Sequence, residues 1–577
     1  MSEHKKRAAT VLRLHAIASV LALWGTAAMA VEIDTGNPDL KVRWDNTLRY
    51  NLGWRVEAQD PRLLSSASYD EGDSKFGKGN VVTNRADLLS EVDLNYQGRF
   101  GARLVATGWY DDAYNDHSVR SPAGRPTSYF NDQYNARVSR YVNGPSAEFL
   151  DAFVWTNFNL GPVPVNVKLG RHAIVWGEGS VIGAHAISYS QAPVDAVKAV
   201  ASPGIETKEL FLPLNQLSFK AQLTSDLTLA GQYFLEWKAL RAPNGGTYLV
   251  GADTAPGVDR LAITPTFAAT KVAPLVPGKR GNWGLSARLN VAAIDSTVGA
   301  YYREFTDYAP ENGIQFMSFT QLVPGNAATT VPSSFRFVYP QDIKQYSVSL
   351  ARAIGPVSFG SELSYRKNGA LNSTGTYNSP LQNTGARGDT LHAIANGVYL
   401  LPKTALWDTG SVLVEVAYSR LQKVTANPSL YKGEGNLLPM NAAGALACAK
   451  LGAPATTPGD RTDTCSSKQF LQGAVSFSPT YIGVFPSWDL ELPMFVSYGI
   501  KGTAASASAG FEKLLTYSLT AKMTYSSRHE FSLRYADIKV PTKYNAAGTT
   551  AIGGNGSGGT VGATDRGWVV FTYKTSF

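Results

Sequence analysis

Apolar and polar positions alternate along residues 40–56. One face carries Leu40, Val42, Trp44, Leu48, Tyr50, Leu52 and Val56, with Asn46 and Trp54, and the other carries Lys41, Arg43, Asp45, Thr47, Arg49, Asn51, Gly53 and Arg55. Successive side chains of a strand point to opposite sides, so this segment predicts a strand with one apolar and one charged face. A soluble β-sandwich also contains such strands.

The same two-residue period recurs to the end of the chain. It predicts strands near residues 40–56, 88–96, 102–107, 147–158, 165–176, 209–223, 227–237, 281–293, 297–307, 343–354, 357–367, 390–401, 409–421, 470–478, 488–500, 513–526, 529–540 and 565–577. Short connections such as 355–356 alternate with long ones such as 422–469, as in outer-membrane barrels, which have an even strand number. We therefore predict an all-β fold, a transmembrane antiparallel barrel of about 16 to 18 strands.

The cost of placing charge in lipid decides which face points outward. About 9–11 residues of a tilted strand lie in the bilayer. A one-residue slip of the first strand would place roughly three charges against lipid, at roughly 2–4 kcal/mol each near the midplane. The apolar face is therefore expected to point outward and the charged face into the lumen.

Charged residues of the first two predicted strands form two opposed rows. If these strands are neighbours, Arg43 and Arg49 face Asp87, Glu91 and Asp93 inside the barrel. One interpretation is a structural row of ion pairs along the wall. The other is that these charges select a solute.

Composition and length fit a single barrel better than several soluble domains. The 577 residues include 54 glycines and 11% aromatic residues. After Ala30 no run of 18 apolar residues occurs, so no helical membrane span is predicted. We find no linker that would divide residues 31–577, and no Lys/Arg run that indicates nucleic acid.

The N-terminus resembles a secretory signal. His4, Lys5, Lys6, Arg7 and Arg13 surround the start of an apolar run over residues 14–24, and Ala28-Met29-Ala30 offers a small-residue cleavage site. The alternative is an ordinary amphipathic helix. Cleavage after Ala30 would remove four Lys/Arg and one Asp/Glu, so the net charge would fall from +8 to +5.

The C-terminus carries a second targeting pattern. Val569, Phe571, Tyr573, Thr575 and Phe577 share one face of the last predicted strand. A terminal aromatic residue after alternating apolar positions resembles the signal read by the barrel-assembly machinery. Together, both termini predict a protein exported to the outer membrane of a Gram-negative bacterium, where its outer face contacts lipid.

The two cysteines lie in the longest predicted connection, residues 422–469. An exported chain with one nearby pair predicts a disulfide between Cys448 and Cys465 in an external loop. Asp460, Asp463 and Thr464 could indicate calcium, but regular ligand spacing is missing, and a plain polar loop is preferred.

One connection has the punctuation of a short helix. Residues 193–200 begin with Pro193 and are followed by Pro203-Gly204. A barrel of about 18 strands leaves an aqueous lumen unless something fills it. We predict that residues 177–208 fold inward as a constriction; the alternative is a loop over the rim.

The sequence resembles the proteobacterial outer-membrane family known as domain of unknown function 1302. The matching segments are Trp44-Asp45-Asn46-Thr47-Leu48-Arg49-Tyr50, Gly108-Trp109-Tyr110-Asp111-Asp112, Leu169-Gly170-Arg171-His172, Val175-Trp176-Gly177-Glu178, Pro193-Val194-Asp195, Lys208-Glu209, Leu212-Pro213-Leu214-Asn215, Glu236-Trp237, Gly388-Asp389-Thr390, Trp488-Asp489, Pro493 and Asp565-Arg566. Ala192 and His172 depart from its pattern, which has Asn and Gln there.

The resemblance implies movement of hydrophobic molecules across the outer membrane, such as aromatics, sterols or lipid-like products. It also implies two partners, an outer-membrane lipoprotein and a resistance-nodulation-division-type exporter. It fixes neither direction nor substrate.

Six residues around the predicted inward segment are candidates for a substrate site in the lumen. They are Arg171, Trp176, Glu178, Asp195, Lys208 and Glu209. Charges and an aromatic group among apolar walls suit an amphipathic solute. The alternative is that these groups hold the segment against the wall through charge-assisted hydrogen bonds.

Two other function classes are weighed. A membrane-embedded esterase or lipase would need a nucleophile and base such as Ser180 and His185, but no Gly-x-Ser-x-Gly motif is present. A surface adhesion or scaffold barrel would explain the long loops. No Cys/His spacing indicates zinc and no glycine loop indicates a nucleotide, so neither an enzyme nor a cofactor is predicted.

Overall fold

The computed structural model describes residues 31–248, 250–278, 280–374, 376–377, 383–556 and 558–577. The predicted signal segment, residues 1–30, lies outside the described residues, as does the cleavage site at its end. Within the described ranges, no helix is both long enough and apolar enough to cross a membrane.

Eighteen antiparallel strands form one closed barrel, which confirms the predicted fold class. The strands are β1 Leu40–Arg55, β2 Val81–Tyr96, β3 Phe100–Asp111, β4 Ser146–Leu160, β5 Val163–His172, β6 Leu214–Gln222, β7 Leu227–Phe234, β8 Trp283–Val291, β9 Ser296–Phe305, β10 Ile343–Ile354, β11 Val357–Ala370, β12 Arg387–Leu400, β13 Thr409–Ala426, β14 Gln469–Phe485, β15 Trp488–Glu491 with Met494–Lys501, β16 Leu515–Tyr525, β17 His529–Lys539 and β18 Trp568–Ser576. Each strand pairs with its neighbours in the chain, and β1 pairs with β18 to close the barrel. The short strand Val31–Ile33 also pairs with β1, below the end of β18.

The predicted facing of the strands is observed. Leu88, Leu285 and Leu533 expose 39%, 48% and 53% of their surface on the outside of the barrel. Arg49 and Glu415, at inward positions, expose 1% and 0%. The alternation therefore separates an apolar outer wall from a polar, largely covered interior.

Two strand boundaries differ from the prediction. The strand predicted over 165–176 ends at His172, where the chain turns inward, and the one predicted over 209–223 begins at Leu214. Glu206 and Glu209 form a reciprocal capping box, which stabilises a helical turn in place of the first residues of that strand.

The break in β15 has a backbone cause. Pro493 lacks an N–H group and cannot donate to the neighbouring strand, so the pairing is interrupted between Glu491 and Met494.

The long connections carry the remaining secondary structure. Helices are α1 Pro61–Leu64, α2 Asp70–Lys75, α3 Ala136–Val138, α4 Ala196–Ala201, α5 Thr207–Leu210 and α6 Gly558–Val561, with 3₁₀ turns Asp112–Tyr114, Phe130–Asp132, Ala292–Ile294, Ala327–Thr329, Pro428–Leu430 and Arg461–Asp463 and a π-turn Ser139–Asn143. Strands Arg260–Thr264, Phe267–Lys271, Ile314–Gln321, Thr330–Phe337 and Thr376–Tyr377 form a second sheet, and Thr542–Tyr544 pairs with Ala551–Gly554.

Several long connections pack on one another at one end of the barrel. The Tyr129 hydroxyl donates to the carbonyl of Gly245 at 2.6 Å, and the Tyr248 hydroxyl donates to that of Arg566 at 2.9 Å. These bonds tie the connections 112–145, 235–282 and 540–567 into one buried cluster. Only short turns occupy the other end of the barrel, apart from the chain termini.

The loop between β13 and β14 contains a disulfide. Cys448 and Cys465 are joined, with Cα atoms 5.6 Å apart. The Asp463 carboxylate accepts from the backbone N–H groups of Leu451 and Asp460, each at 3.0 Å, and from the Lys543 ammonium at 2.6 Å. These protein donors occupy the carboxylate, which agrees with a polar loop rather than a calcium site. The described residues contain no group of three or more His, Cys, Asp or Glu that could hold a metal ion.

Candidate functional site

Residues 177–208, here called the inward segment, connect β5 to β6 through the barrel interior. They contact lumen-facing side chains of β1, β2 and β9–β13 rather than lying over the rim. The segment enters at Gly177, where φ is +99° and a Cβ atom would overlap the Glu362 carboxylate. Glycine is therefore required for the close approach.

Glu362 on β11 holds the first half of the segment. Its carboxylate accepts the backbone N–H of Gly179 at 2.7 Å, that of Ile187 at 2.6 Å and that of Glu178. Glu362 is 4% exposed. A buried carboxylate is stable here because three backbone donors replace its water shell.

Glu415 on β13 makes an equivalent set of contacts. It accepts the backbone N–H groups of Ser180 at 2.6 Å, Val181 at 2.9 Å and Ile182 at 2.5 Å, and it is fully buried. Together the two glutamates satisfy six backbone donors of an irregular segment, whose polar groups would otherwise be buried without partners.

Two arginines bind the carbonyl groups of the same stretch. Arg303 on β9 donates to the carbonyls of Ile187, Tyr189 and Ser190 at 3.1, 2.7 and 2.6 Å. Arg366 on β11 donates to the carbonyls of Ala184 and Ala186, both at 2.9 Å. Glu362, Glu415, Arg303 and Arg366, here called the wall tetrad, therefore bind both kinds of backbone group while their charges cancel.

A pair of histidines lies beside these contacts. His185 Nδ1 lies 2.9 Å from His392 Nδ1, and His185 Nε2 lies 2.9 Å from the carbonyl oxygen of Ala509. Both ring nitrogens of His185 are therefore engaged, and it has no hydrogen bond to Ser180 in the described structure. The nucleophile–base pair considered for an esterase is not formed.

The second half of the segment contacts β1–β4. Asp195 caps helix α4 by accepting the N–H of Lys198 at 3.1 Å, and it pairs with Arg241 at 2.5 Å. Arg241 also pairs with Glu148 on β4 at 2.7 Å. The Lys198 ammonium lies 4.4 Å from the centre of the Trp109 ring, a cation–π contact on β3.

Ser202 ends α4 and contacts the lumen face of β1 and β2. It accepts from Arg49 at 3.3 Å and Asn51 at 3.1 Å, and its hydroxyl donates to Asp87 at 2.9 Å. This serine brings two members of the predicted charged rows into contact with the inward segment.

The structure spreads the six candidate residues along the segment rather than gathering them in one cluster. Trp176 donates its backbone N–H to Gln191 at 2.8 Å and Glu178 pairs with Arg288 at 3.3 Å, near β8 and β9. Asp195 lies near β4, as described above. Arg171 donates to the carbonyl of Phe149 at 3.0 Å, in the neighbouring strand.

The last two candidates lie against β1 and β2. Lys208 pairs with Glu91 at 2.5 Å and with Glu206 at 3.1 Å, while Glu209 pairs with Arg49 at 2.5 Å. Except for Arg171, whose bond is to the barrel wall, the candidates hold the segment to the wall or to itself. Their observed contacts are those of the structural alternative.

The predicted pairing between the two charged rows is wrong in detail. Arg43 lies opposite Asp93 and Arg49 opposite Asp87 in the strand register. Their ion pairs nevertheless go elsewhere, as a set: Arg43 with Asp45 at 2.7 Å, Arg49 with Glu209, Asp87 with Arg85 at 2.8 Å, Asp93 with Arg103 at 2.6 Å, and Glu91 with Arg103 and Lys208. The long guanidinium groups reach closer carboxylates on the same strand, on β3 and on the inward segment.

Sequence reasoning missed the wall tetrad. Its members stand at inward positions of strands that the alternation predicts, and each is a charged residue in an otherwise small or weakly polar row. An isolated inward charge was the available signal. Its partner could not be identified, because backbone groups of a distant connection leave no mark in the sequence pattern.

The comparisons with known proteins identify a family. The model described as "Protein of unknown function (DUF1302)" matches residues 11–577. A search of the curated proteins finds no match.

Among solved structures, the chain is similar to three outer-barrel channels by name. OccK1 (OpdK) of Pseudomonas aeruginosa shares 8% identity over 93% of this chain and 98% of its own, with a TM-score of 0.39. OccAB1 of Acinetobacter baumannii shares 9% over 93% and 96%, with a TM-score of 0.40. OccD3 (OpdP) of Pseudomonas aeruginosa shares 10% over 95% and 93%, with a TM-score of 0.38. Likeness at this level says nothing about the solute.

Proposed function

Since the chain belongs to the family described as a protein of unknown function (DUF1302), we propose its role from its own geometry. It is a channel or transporter in the outer membrane of a Gram-negative bacterium, and it moves hydrophobic or amphipathic small molecules such as aromatic, sterol or lipid-like compounds. The inward segment is the constriction through which such a solute passes.

The outer wall supports a location in a membrane. Large apolar residues on the outward positions of the strands, such as Leu104, Val348 and Leu519, expose 44%, 49% and 53% of their surface. A continuous apolar band of this kind is costly in water and favourable against lipid. We further propose export through the N-terminal signal, assembly through Phe577, and coupling to an outer-membrane lipoprotein and a resistance-nodulation-division-type exporter.

The wall tetrad is the observation that carries the proposal of a constriction. A connection that merely filled space would pack through apolar contacts, whereas here four buried charges bind eleven backbone groups of residues 178–190. Such contacts fix the path of the backbone and therefore the width of the remaining opening.

The test is to weaken the tetrad and measure ion flow. In E362Q/E415Q, each side chain loses its charge and turns an amide NH₂ group toward backbone N–H donors. We expect single-channel conductance in planar bilayers to rise by at least about twofold, because the segment is released from the wall. R303Q/R366Q, which removes the carbonyl donors instead, is expected to act in the same direction.

The matched control is E491Q. Glu491 on β15 pairs with Lys522 on β16 and has no contact with the inward segment among the described residues. Its conductance should equal that of the wild type. Unchanged conductance in both tetrad double variants, with normal assembly in the membrane, would show that the segment does not limit passage.

A further inference from the structure

A cavity of about 300 Å³ lies between the inward segment and the strands β15–β18. Ala199, Val200 and Pro203 of the segment form one side, and Phe495, Arg534 and Trp568 belong to the opposite wall. The tetrad anchors the segment to β9–β13, so this cavity lies on the other side of the lumen.

Arg534 is the unusual group in this cavity. It stands at an inward position of β17, opposite the fully buried Val570 and next to Leu533, which is 53% exposed on the outside. Its Nε atom is buried and lacks a hydrogen-bond partner. Among the described residues, Arg534 forms no hydrogen bond, ion pair or cation–π contact.

Neighbouring lumen charges on the same wall are paired. Lys522 on β16 pairs with Glu491, and Lys574 on β18 pairs with Glu206 at 3.0 Å and with Glu530 at 3.8 Å. Arg534 therefore differs from them in having no carboxylate within reach. A guanidinium withdrawn from water without a partner is costly, and an anion that enters the cavity offsets this cost.

The chemistry around Arg534 defines the class of anion. The planar guanidinium matches a carboxylate in a bidentate arrangement. Val200, Phe495 and Trp568 offer apolar and aromatic surface to the rest of the molecule. An inorganic anion would satisfy the charge but would leave this surface uncovered.

We propose that the cavity is a binding site for an organic monocarboxylate with an aromatic or alkyl body, whose carboxylate pairs with Arg534 while its body lies against Val200, Phe495 and Trp568. This inference rests on the proposed function and narrows its solute class to amphipathic acids. Arg534 is a binding residue of the pathway that none of the six candidate residues includes.

The test measures binding to the full chain in a non-ionic detergent by isothermal titration calorimetry. The probe is 3-phenylpropanoate, with 3-phenylpropanamide as its neutral analogue and propanoate as the acid without a ring. We expect R534Q to weaken binding of 3-phenylpropanoate about tenfold, since a hydrogen-bonded charge pair is lost. R534K should fall between the two, because it keeps the charge but not the bidentate geometry.

The matched control is K522Q, which removes a paired lumen cation from the same wall and should bind 3-phenylpropanoate as the wild type does. The amide and propanoate should each bind the wild type more weakly than 3-phenylpropanoate. Equal affinity of wild type and R534Q, or equal affinity for propanoate and 3-phenylpropanoate, would overturn the proposal. Thermal unfolding of each variant checks that the barrel is intact.

Binding and conductance separate this inference from the proposed function. Conductance that responds to the tetrad variants without Arg534-dependent binding would remove the carboxylate site and leave the channel. Arg534-dependent binding without any conductance would keep the site and remove the channel.

Discussion

At the scale of single residues, alternation predicted which side chains enter the barrel but not what they bind. Arg49 was expected inside and is there, yet its partner is Glu209 of the inward segment and not the opposed Asp87. Register fixes the distance between backbones, whereas an arginine side chain reaches any carboxylate within several ångströms. The path of the connection decided the pairing, and that path depends on contacts distant in sequence.

One residue-scale prediction concerns pH and Glu71 in α2. Burial raises the pKa of Glu71 to about 8, with the Asp70 carboxylate acting in the same direction. The folded loop thus binds the proton more tightly than the unfolded one does, so its stability falls as the pH rises from about 4.5 through about 8. Hydrogen exchange of residues 61–75 at pH 6 and pH 9 should show faster exchange at the higher pH beyond the intrinsic base catalysis.

E71Q should reduce this dependence, because the amide does not ionise. Part of it should remain, since burial and Glu71 also raise the pKa of Asp253 beside it. D116N is the control: the Asp116 side chain is 78% exposed and its loss should change nothing in this window. An E71Q protein with the full wild-type dependence would contradict the assignment.

At the scale of elements, all eighteen strands were predictable and their ends were less so. β5 was predicted four residues too long, because Val175 and Trp176 continue the alternation while the chain has already left the sheet at His172. A local pattern records side-chain polarity and not the presence of a pairing strand. Similarly, the capping box of α5 was present in the sequence as Glu206 and Glu209, but the apolar run that follows masked it.

The disulfide loop gives an element-scale prediction. Cys448 and Cys465 are 17 residues apart, and a closure of this size is worth about 3 kcal/mol in the loop-entropy model. We expect C448S/C465S to make residues 427–468 sensitive to limited proteolysis while the barrel keeps its thermal transition, because the loop lies outside the strand pairing. Adding dithiothreitol to the wild type should give the same cleavage pattern. A barrel that melts earlier in the variant would show that the loop stabilises the wall.

At the scale of the whole molecule, closure joins the two ends of the chain. The N–H of Asn46 donates to the carbonyl of Phe577 at 2.7 Å, and the N–H of Phe577 donates to the carbonyl of Asn46 at 2.8 Å. The period-two pattern predicted a barrel and an even strand number, and both are confirmed. The course of residues 177–208 across the lumen depends on charges contributed by strands that are more than 100 residues away, so only its helical punctuation could be recognised beforehand.

The seam between β1 and β18 depends on a glycine, which provides the last prediction. Trp568 lies across the seam inside the barrel, and a Cβ atom at Gly53 would lie 2.8 Å from its ring and 2.9 Å from Thr83 Cγ2. Trp568 is 8% exposed and packs in the loop cluster, so it cannot move aside freely. G53A should therefore cost about 1–3 kcal/mol and lower the temperature at which the barrel shifts on heat-modifiability gels. G108A on β3, where the nearest atom to an added Cβ is 3.5 Å away, should leave that temperature unchanged. Equal temperatures for G53A and wild type would mean that Trp568 does not constrain closure.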